Sequence, residues 1–182
     1  MSRACIITFV SVALALAASL ALMGRPAICT CGHIDLWGPV GPTQSQMLAD
    51  WYSPSHLVHG FLFYWFAWAW LGPHKKVTRF TISAVIEALW EIAENTPYLI
   101  DRYREATIAL GYSGDSIVNS VSDLTMMAIG YFVATRIPAW ASVVAILALE
   151  LTALAAVRDN LTLNVLMLLF PNETIANWQA GS

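Results

Sequence analysis

Charge is scarce in this sequence. Asp, Glu, Lys and Arg make up 12% of its 182 residues, about half the share found in soluble globular proteins, which excludes an ordinary water-soluble domain. Basic residues form no block. The densest group, Lys75, Lys76 and Arg79, falls short of the roughly four to eight that a polybasic lipid-binding patch needs. The net charge of −3 leaves no electrostatic footprint for nucleic acid. Cysteine is limited to Cys5, Cys29 and Cys31, an odd count that excludes a full disulfide framework. No internal repeat is visible, which argues against the paired halves of many transporters.

What the sequence has instead is hydrophobic length. Hydrophobic residues reach 58% and the mean hydropathy is +0.61, so the chain is read as a membrane protein. The expected fold is an all-α polytopic transmembrane bundle in a single membrane domain over residues 1–182. It has about five spans, near 5–23, 55–71, 80–100, 116–135 and 139–157, each close to the roughly 20 residues that cross a bilayer. The first run follows Arg3 and also fits a signal peptide; the lack of an A-x-A site before Arg25 and Pro26 favours a retained helix. Residues 25–54, rich in Gly and Pro, read as a long outer loop. Residues 161–170 are too few to span and read as an interfacial or re-entrant segment.

Orientation follows the basic residues of the short loops. With a cytoplasmic amino terminus, both lysines of the chain, Lys75 and Lys76, lie inside in the tight turn between the second and third spans. The second span then begins, the third ends and the fourth begins on the outer side. That leaflet is where the polar residues fall. His56 and His59 lie three apart in the first turn of the second span and face one side. Glu87, Glu91 and Glu94 occupy one stripe of the third, and Asp115, Asn119, Ser122 and Asp123 one stripe of the fourth.

An ionisable group in hydrocarbon costs several kcal/mol, roughly 2.5 to 3.5 even on lenient scales, so these stripes are expected to face one another or a wet cavity. His59, Glu91, Glu94 and Asp123 are the candidate catalytic groups and candidate ligands of a divalent metal ion, since imidazole and carboxylate together suit such ions. His56, Asp115 and Asn119 are the candidate substrate-binding residues. Glu150, alone in the fifth run, reads as a hydrogen-bonded packing acid. Cys29, Cys31 and His33 form a C-x-C-x-H cluster whose spacing is not the usual zinc pattern; in an oxidising compartment a disulfide competes with metal binding there.

Three segments carry a resemblance: YSPSHLVHGFLFY at 52–64, EALWEIAENTPYLIDRYR at 87–104 and GYSGDSIVNSVSDLTMMAIGY at 111–131. On these the chain resembles a family of small bacterial multi-pass inner-membrane proteins of unknown function. More loosely, the order H-x2-H-G, E-x3-E-x2-E and G-D-x3-N-x3-D-x6-G is similar to VanZ-like membrane families. The resemblance implies a bacterial inner membrane and assigns no chemistry.

Three functions therefore compete. One is an enzyme working at the outer leaflet on a lipid or lipid-linked substrate. The second is a proton or small-solute pathway using Glu87, Glu91, Glu94 and Glu150 as relays. The third is a non-catalytic accessory protein that binds other membrane proteins. Expected partners are membrane lipids and either other membrane proteins or a second copy of the chain, with no nucleic acid.

Overall fold

The computed structural model describes residues 2–106 and 111–181. Among them the chain is all-helical, with α1 (Arg3–Leu22), a 3₁₀ turn (Gln44–Gln46), α2 (Ser53–Leu71), α3 (Lys76–Glu94), α4 (Pro97–Ala106), α5 (Ile117–Ala134), α6 (Ala139–Val157), α7 (Leu161–Leu169) and α8 (Glu173–Ala180). Three helices are long and apolar enough to cross a membrane: α1, α5 and α6, with mean hydropathies of 2.5, 1.4 and 2.1. At 19 residues each, α2 and α3 match them in length, but polar and aromatic side chains lower their hydropathy.

The centre of the bundle is the contact between α2 and α5, which run parallel. Glycine makes it possible. A Cβ on Gly60 would sit 2.2 Å from the carbonyl oxygen of Met127, and one on Gly130 would sit 2.2 Å from that of Leu57, so the two backbones touch where small residues allow. The turn through Gly72, at φ +72°, returns the chain as α3, antiparallel to α2. Leu16 and Leu20 of α1 pack into one core with Phe80 and Ala84 of α3 and with Leu124 and Met127 of α5.

The stretch expected as one span from Phe80 to about Ile100 is two helices. Pro97 opens α4 and disfavours helix at the residue before it, and Asn95 ends α3. The Asn95 amide donates to the Glu91 carbonyl at 2.9 Å and to Asp115 Oδ2 at 2.6 Å.

The long loop is tied down along the end of the bundle where α5 begins. Carbonyls of Pro26 and Ala27 accept the N–H groups of Ile117 and Val118 at 2.9 and 3.2 Å, satisfying donors that the first turn of a helix leaves free. After α6, Arg158 turns the chain in the left-handed conformation, φ 55°, and brings the start of α7 back to Glu150. Glu150 accepts the backbone N–H groups of Leu161 and Thr162 at 3.1 Å each, placing a carboxylate at the positive end of the α7 dipole. Arg102 of α4 donates twice to the Leu168 carbonyl at the other end, at 3.0 and 2.8 Å.

Candidate functional site

Because α2 and α5 start, and α3 stops, at the same end of the bundle, their polar stripes meet there. Glu87, fully buried in α3, holds both histidines of α2: its Oε1 lies 2.6 Å from His56 Nδ1 and its Oε2 lies 2.9 Å from His59 Nδ1. A carboxylate only accepts, so both Nδ1 atoms donate, which leaves each Nε2 as the nitrogen that can ligate when the ring is neutral. This is how a supporting carboxylate prepares histidine to ligate a metal. His56 Nε2 lies 3.8 Å from Asp123 Oδ2, and Asp123 Oδ1 is held by the Ser53 hydroxyl at 3.3 Å.

Glu91 sits one turn beyond Glu87 and is 1% exposed. Its Oε1 accepts no hydrogen bond; His56 Nδ1, at 3.4 Å, already serves Glu87. Further along, Glu94 accepts from the Tyr103 hydroxyl. Asp115 is paired with Asn95, which also accepts the Asp115 N–H at 2.9 Å, and it receives the Tyr112 hydroxyl at 3.0 Å. Burial outweighs these hydrogen bonds and pushes the Asp115 carboxyl up to about 6. Asp50, from the loop, is buried against the same site and is likewise raised by burial, against the lowering effect of the Tyr52 and Ser53 N–H groups.

These groups surround a cavity of about 70 Å³, room for a few water molecules or an ion. Among the described residues no Lys or Arg pairs with its carboxylates. Arg25 donates to the backbone carbonyls of Ser113 and Asp115, Arg102 to Leu168, and Arg104 to Tyr112 and the exposed Asp101. Asp50, Glu91, Glu94, Asp115 and Asp123 thus line the space with only His56 and His59 to oppose them. Three overlapping sets offer ligand atoms within 4.8 Å of one another: His56, His59 and Glu87; His56, Glu91 and Asp123; and Glu91, Glu94 and Asp115.

All seven residues singled out from the sequence line this cavity, in a different arrangement from the one expected. The histidine that joins Glu91 and Asp123 is His56, expected to bind substrate, whereas His59 faces Glu87, Phe63 and Trp90. Glu94 groups with Asp115, not with Asp123. Asn119 is committed to the fold, donating to the Met47 carbonyl at 3.0 Å. Glu87, read from the sequence as a stripe member and relay and not as a candidate ligand, joins this network, and its spacing of one turn from Glu91 was the available signal. Asp50, Tyr103 and Tyr112 lie outside the apolar runs, and nothing in the periodicity marked them, whereas Asn95 lies in the third run one turn on from Glu91, where the same spacing was the available signal. In the loop, Cys29 and Cys31 are joined as a disulfide and do not present a pair of thiolates to a metal.

No solved structure matches this chain. The UPF0314 protein Atu8092 of Agrobacterium fabrum is 51% identical over 159 residues, 86% of this chain and 80% of the relative. A UPF0314 protein of Sphingopyxis alaskensis is 51% identical over 169 residues, 91% and 89% of the two chains. One from Paracoccus denitrificans is 45% identical over 176 residues, 96% and 91% of the two chains. The family described as "Protein of unknown function (DUF2585)" matches residues 20–181, and the chain belongs to it.

Proposed function

We propose that this chain is a multi-pass protein of the bacterial inner membrane, crossing with α1, α2, α3, α5 and α6 from a cytoplasmic amino terminus, and that its cavity is an outward-facing divalent-cation site for hydrolysis or transfer on a lipid or lipid-linked substrate. One observation carries the reading: a buried carboxylate oxygen, Glu91 Oε1, without a hydrogen bond, among acids that no Lys or Arg of the described residues neutralises. A carboxylate left so costs several kcal/mol unless paired, and a cation is the partner that the surrounding groups fit.

His56, Glu91 and Asp123 hold the ion, while Glu87 fixes the histidine tautomer. A divalent ion bound there polarises a phosphoryl or carbonyl oxygen and acidifies water. Glu94, within reach of the same space, takes the proton of the attacking water, and Tyr103 holds that carboxylate in place. A space of about 70 Å³ admits only the reacting head of a substrate, so its apolar remainder stays outside, beside Trp90 and Leu161 at the cavity lining.

The test is elemental analysis of the purified full-length protein, with Glu91→Gln and Asp123→Asn beside it. About one divalent ion per chain is expected in the wild type and less than about a tenth of that in either variant, with both variants folded and inserted. Metal-free wild type that takes up no added Mn²⁺ or Zn²⁺ overturns the cation site. Variants that no longer accumulate as folded protein would make the acids structural and favour the accessory reading, for which the nearly bare α6, 11% buried, offers a docking face.

A further inference from the structure

The Cys29–Cys31 disulfide is left unused by the cavity. Only Thr30 separates its two cysteines. The chain entropy removed by a disulfide grows with the loop it closes, so a ring of one intervening residue is a poor staple. Its two sulfurs differ in access. Cys29 is 2% exposed and its Sγ receives the Cys31 N–H at 3.1 Å, whereas Cys31 is exposed. His33 Nε2 stands 3.8 Å from Cys31 Sγ and 3.3 Å from Asp35 Oδ2. Beyond the ring, Ile34, Leu36, Trp37 and Val40 leave an exposed apolar strip, with Leu36 79% and Val40 64% exposed, of the kind that receives a polypeptide.

We infer that this ring is a thiol–disulfide exchange site for a dithiol polypeptide on the same side of the membrane as the cavity. Solvent takes the proton of the incoming thiol, and His33, whose Nε2–H faces Cys31 Sγ, gives a proton to the Cys31 thiolate when it is released. The thiolate attacks the accessible Cys31 Sγ, a bond forms between them, the Cys29–Cys31 bond breaks, and the electron pair goes to Cys29 Sγ, where the Cys31 N–H already points. The second thiol of the partner, as thiolate, then attacks its own sulfur in the mixed disulfide and releases Cys31 as thiolate. Two electrons and two protons move in all: the partner becomes a disulfide and the ring becomes two thiols. A disulfide-bearing redox protein reverses the change. Reactivity depends on which sulfur is accessible and on how well the leaving thiolate is held, and the burial of Cys29 with its N–H donor supplies both.

The experiment uses full-length protein in detergent micelles, a synthetic Cys-x-x-Cys peptide as probe, and alkylation with mass spectrometry as readout. The wild-type ring is expected to open while an equal amount of peptide loses two hydrogens. A Cys-x-x-Ser peptide, which lacks the resolving thiol, should be retained by the wild type as a mixed disulfide at Cys31 and about tenfold less at Cys29, and His33→Ala should slow exchange with the dithiol peptide about tenfold at pH 7 with a changed pH profile. A wild-type ring that stays closed in peptide excess overturns the inference without any variant. Equal trapping at both positions overturns it as well.

Discussion

At one end of the bundle, α2, α3, α5 and the loop segments that lead into α2 and α5 bring together two histidines and five carboxylates around a cavity. At the other end of the same three helices, Phe80 stacks on Phe132 at 4.8 Å, Tyr131 meets Tyr64 at 5.3 Å, and the Arg79 guanidinium lies 5.4 Å from the Tyr64 ring. Gly60 and Gly130 lie between. The aromatic end and the glycine contact gain packing and carry one buried charge among the described residues, Arg79, with its Nε and Nη1 free of hydrogen bonds and its guanidinium held against the Tyr64 ring. The carboxylate end holds groups that cost free energy where they are and leaves one oxygen unbonded. Helices that gather most of their buried ionisable groups at one end do so for something other than holding together, and substitutions at the two ends should separate fold from function.

The largest effect belongs to the glycine contact. Gly60→Leu should prevent the α2–α5 approach and abolish accumulation of folded protein, and Gly60→Ala should cost at least about 3 kcal/mol, the upper part of the usual overpacking range; the thermal midpoint in detergent checks both. Next comes the opposite pattern. Glu91→Gln should weaken Mn²⁺ or Zn²⁺ binding at least about a hundredfold by calorimetry while the midpoint stays level or rises, because a buried unpaired charge is gone. If the midpoint falls as far as for Gly60→Ala, the two ends are alike and the distinction fails. Glu87→Gln should be intermediate, about 10- to 100-fold weaker in metal affinity, as for other carboxylates that orient a ligand.

The smallest effect is one of pH. Asp159 receives Tyr52 and Gln179 at 3.0 Å each, yet burial raises its carboxyl above the usual 3.8. The folded state therefore binds the proton more tightly than the unfolded state. Its contribution is complete below 3.8 and is lost as pH rises through the folded value. Thermal midpoints across that window should fall less steeply in Asp159→Asn than in the wild type, each kcal/mol being worth about 2–4 °C.

How far the sequence reached depends on range. Helices whose signals are local were legible: Pro54 and Gly72 bracket α2, Pro138 precedes α6, and the all-α reading holds throughout the described residues. The break after Glu94 was also written locally, in Pro97, but hydrophobicity on both sides concealed it. The two stripes of acids were visible from spacing alone, whereas which histidine meets which acid depends on the parallel pairing of α2 with α5, which Gly60 and Gly130 decide between segments 70 residues apart. The seating of Glu150 against Leu161 and Thr162 depends on a reversal of the chain at Arg158 that hydropathy does not encode. A ligand set is a property of helix phase, and a sequence shows phase within one helix but not between two.

Gln46 stands between the disulfide loop and the cavity. Its Oε1 accepts the Thr30 N–H at 2.9 Å and the Thr30 hydroxyl at 3.1 Å, its Nε2 donates to the Ser113 hydroxyl at 3.3 Å, and its carbonyl accepts the Ser116 hydroxyl at 3.1 Å. Buried Gln46 thus grips the middle residue of the ring and, through the hydroxyls of Ser113 and Ser116, both sides of Asp115. Thermodynamic reciprocity then applies: if opening the ring shifts Thr30 and changes how tightly the cavity holds its occupant, filling the cavity must shift the balance of the ring between disulfide and dithiol by an equal free energy.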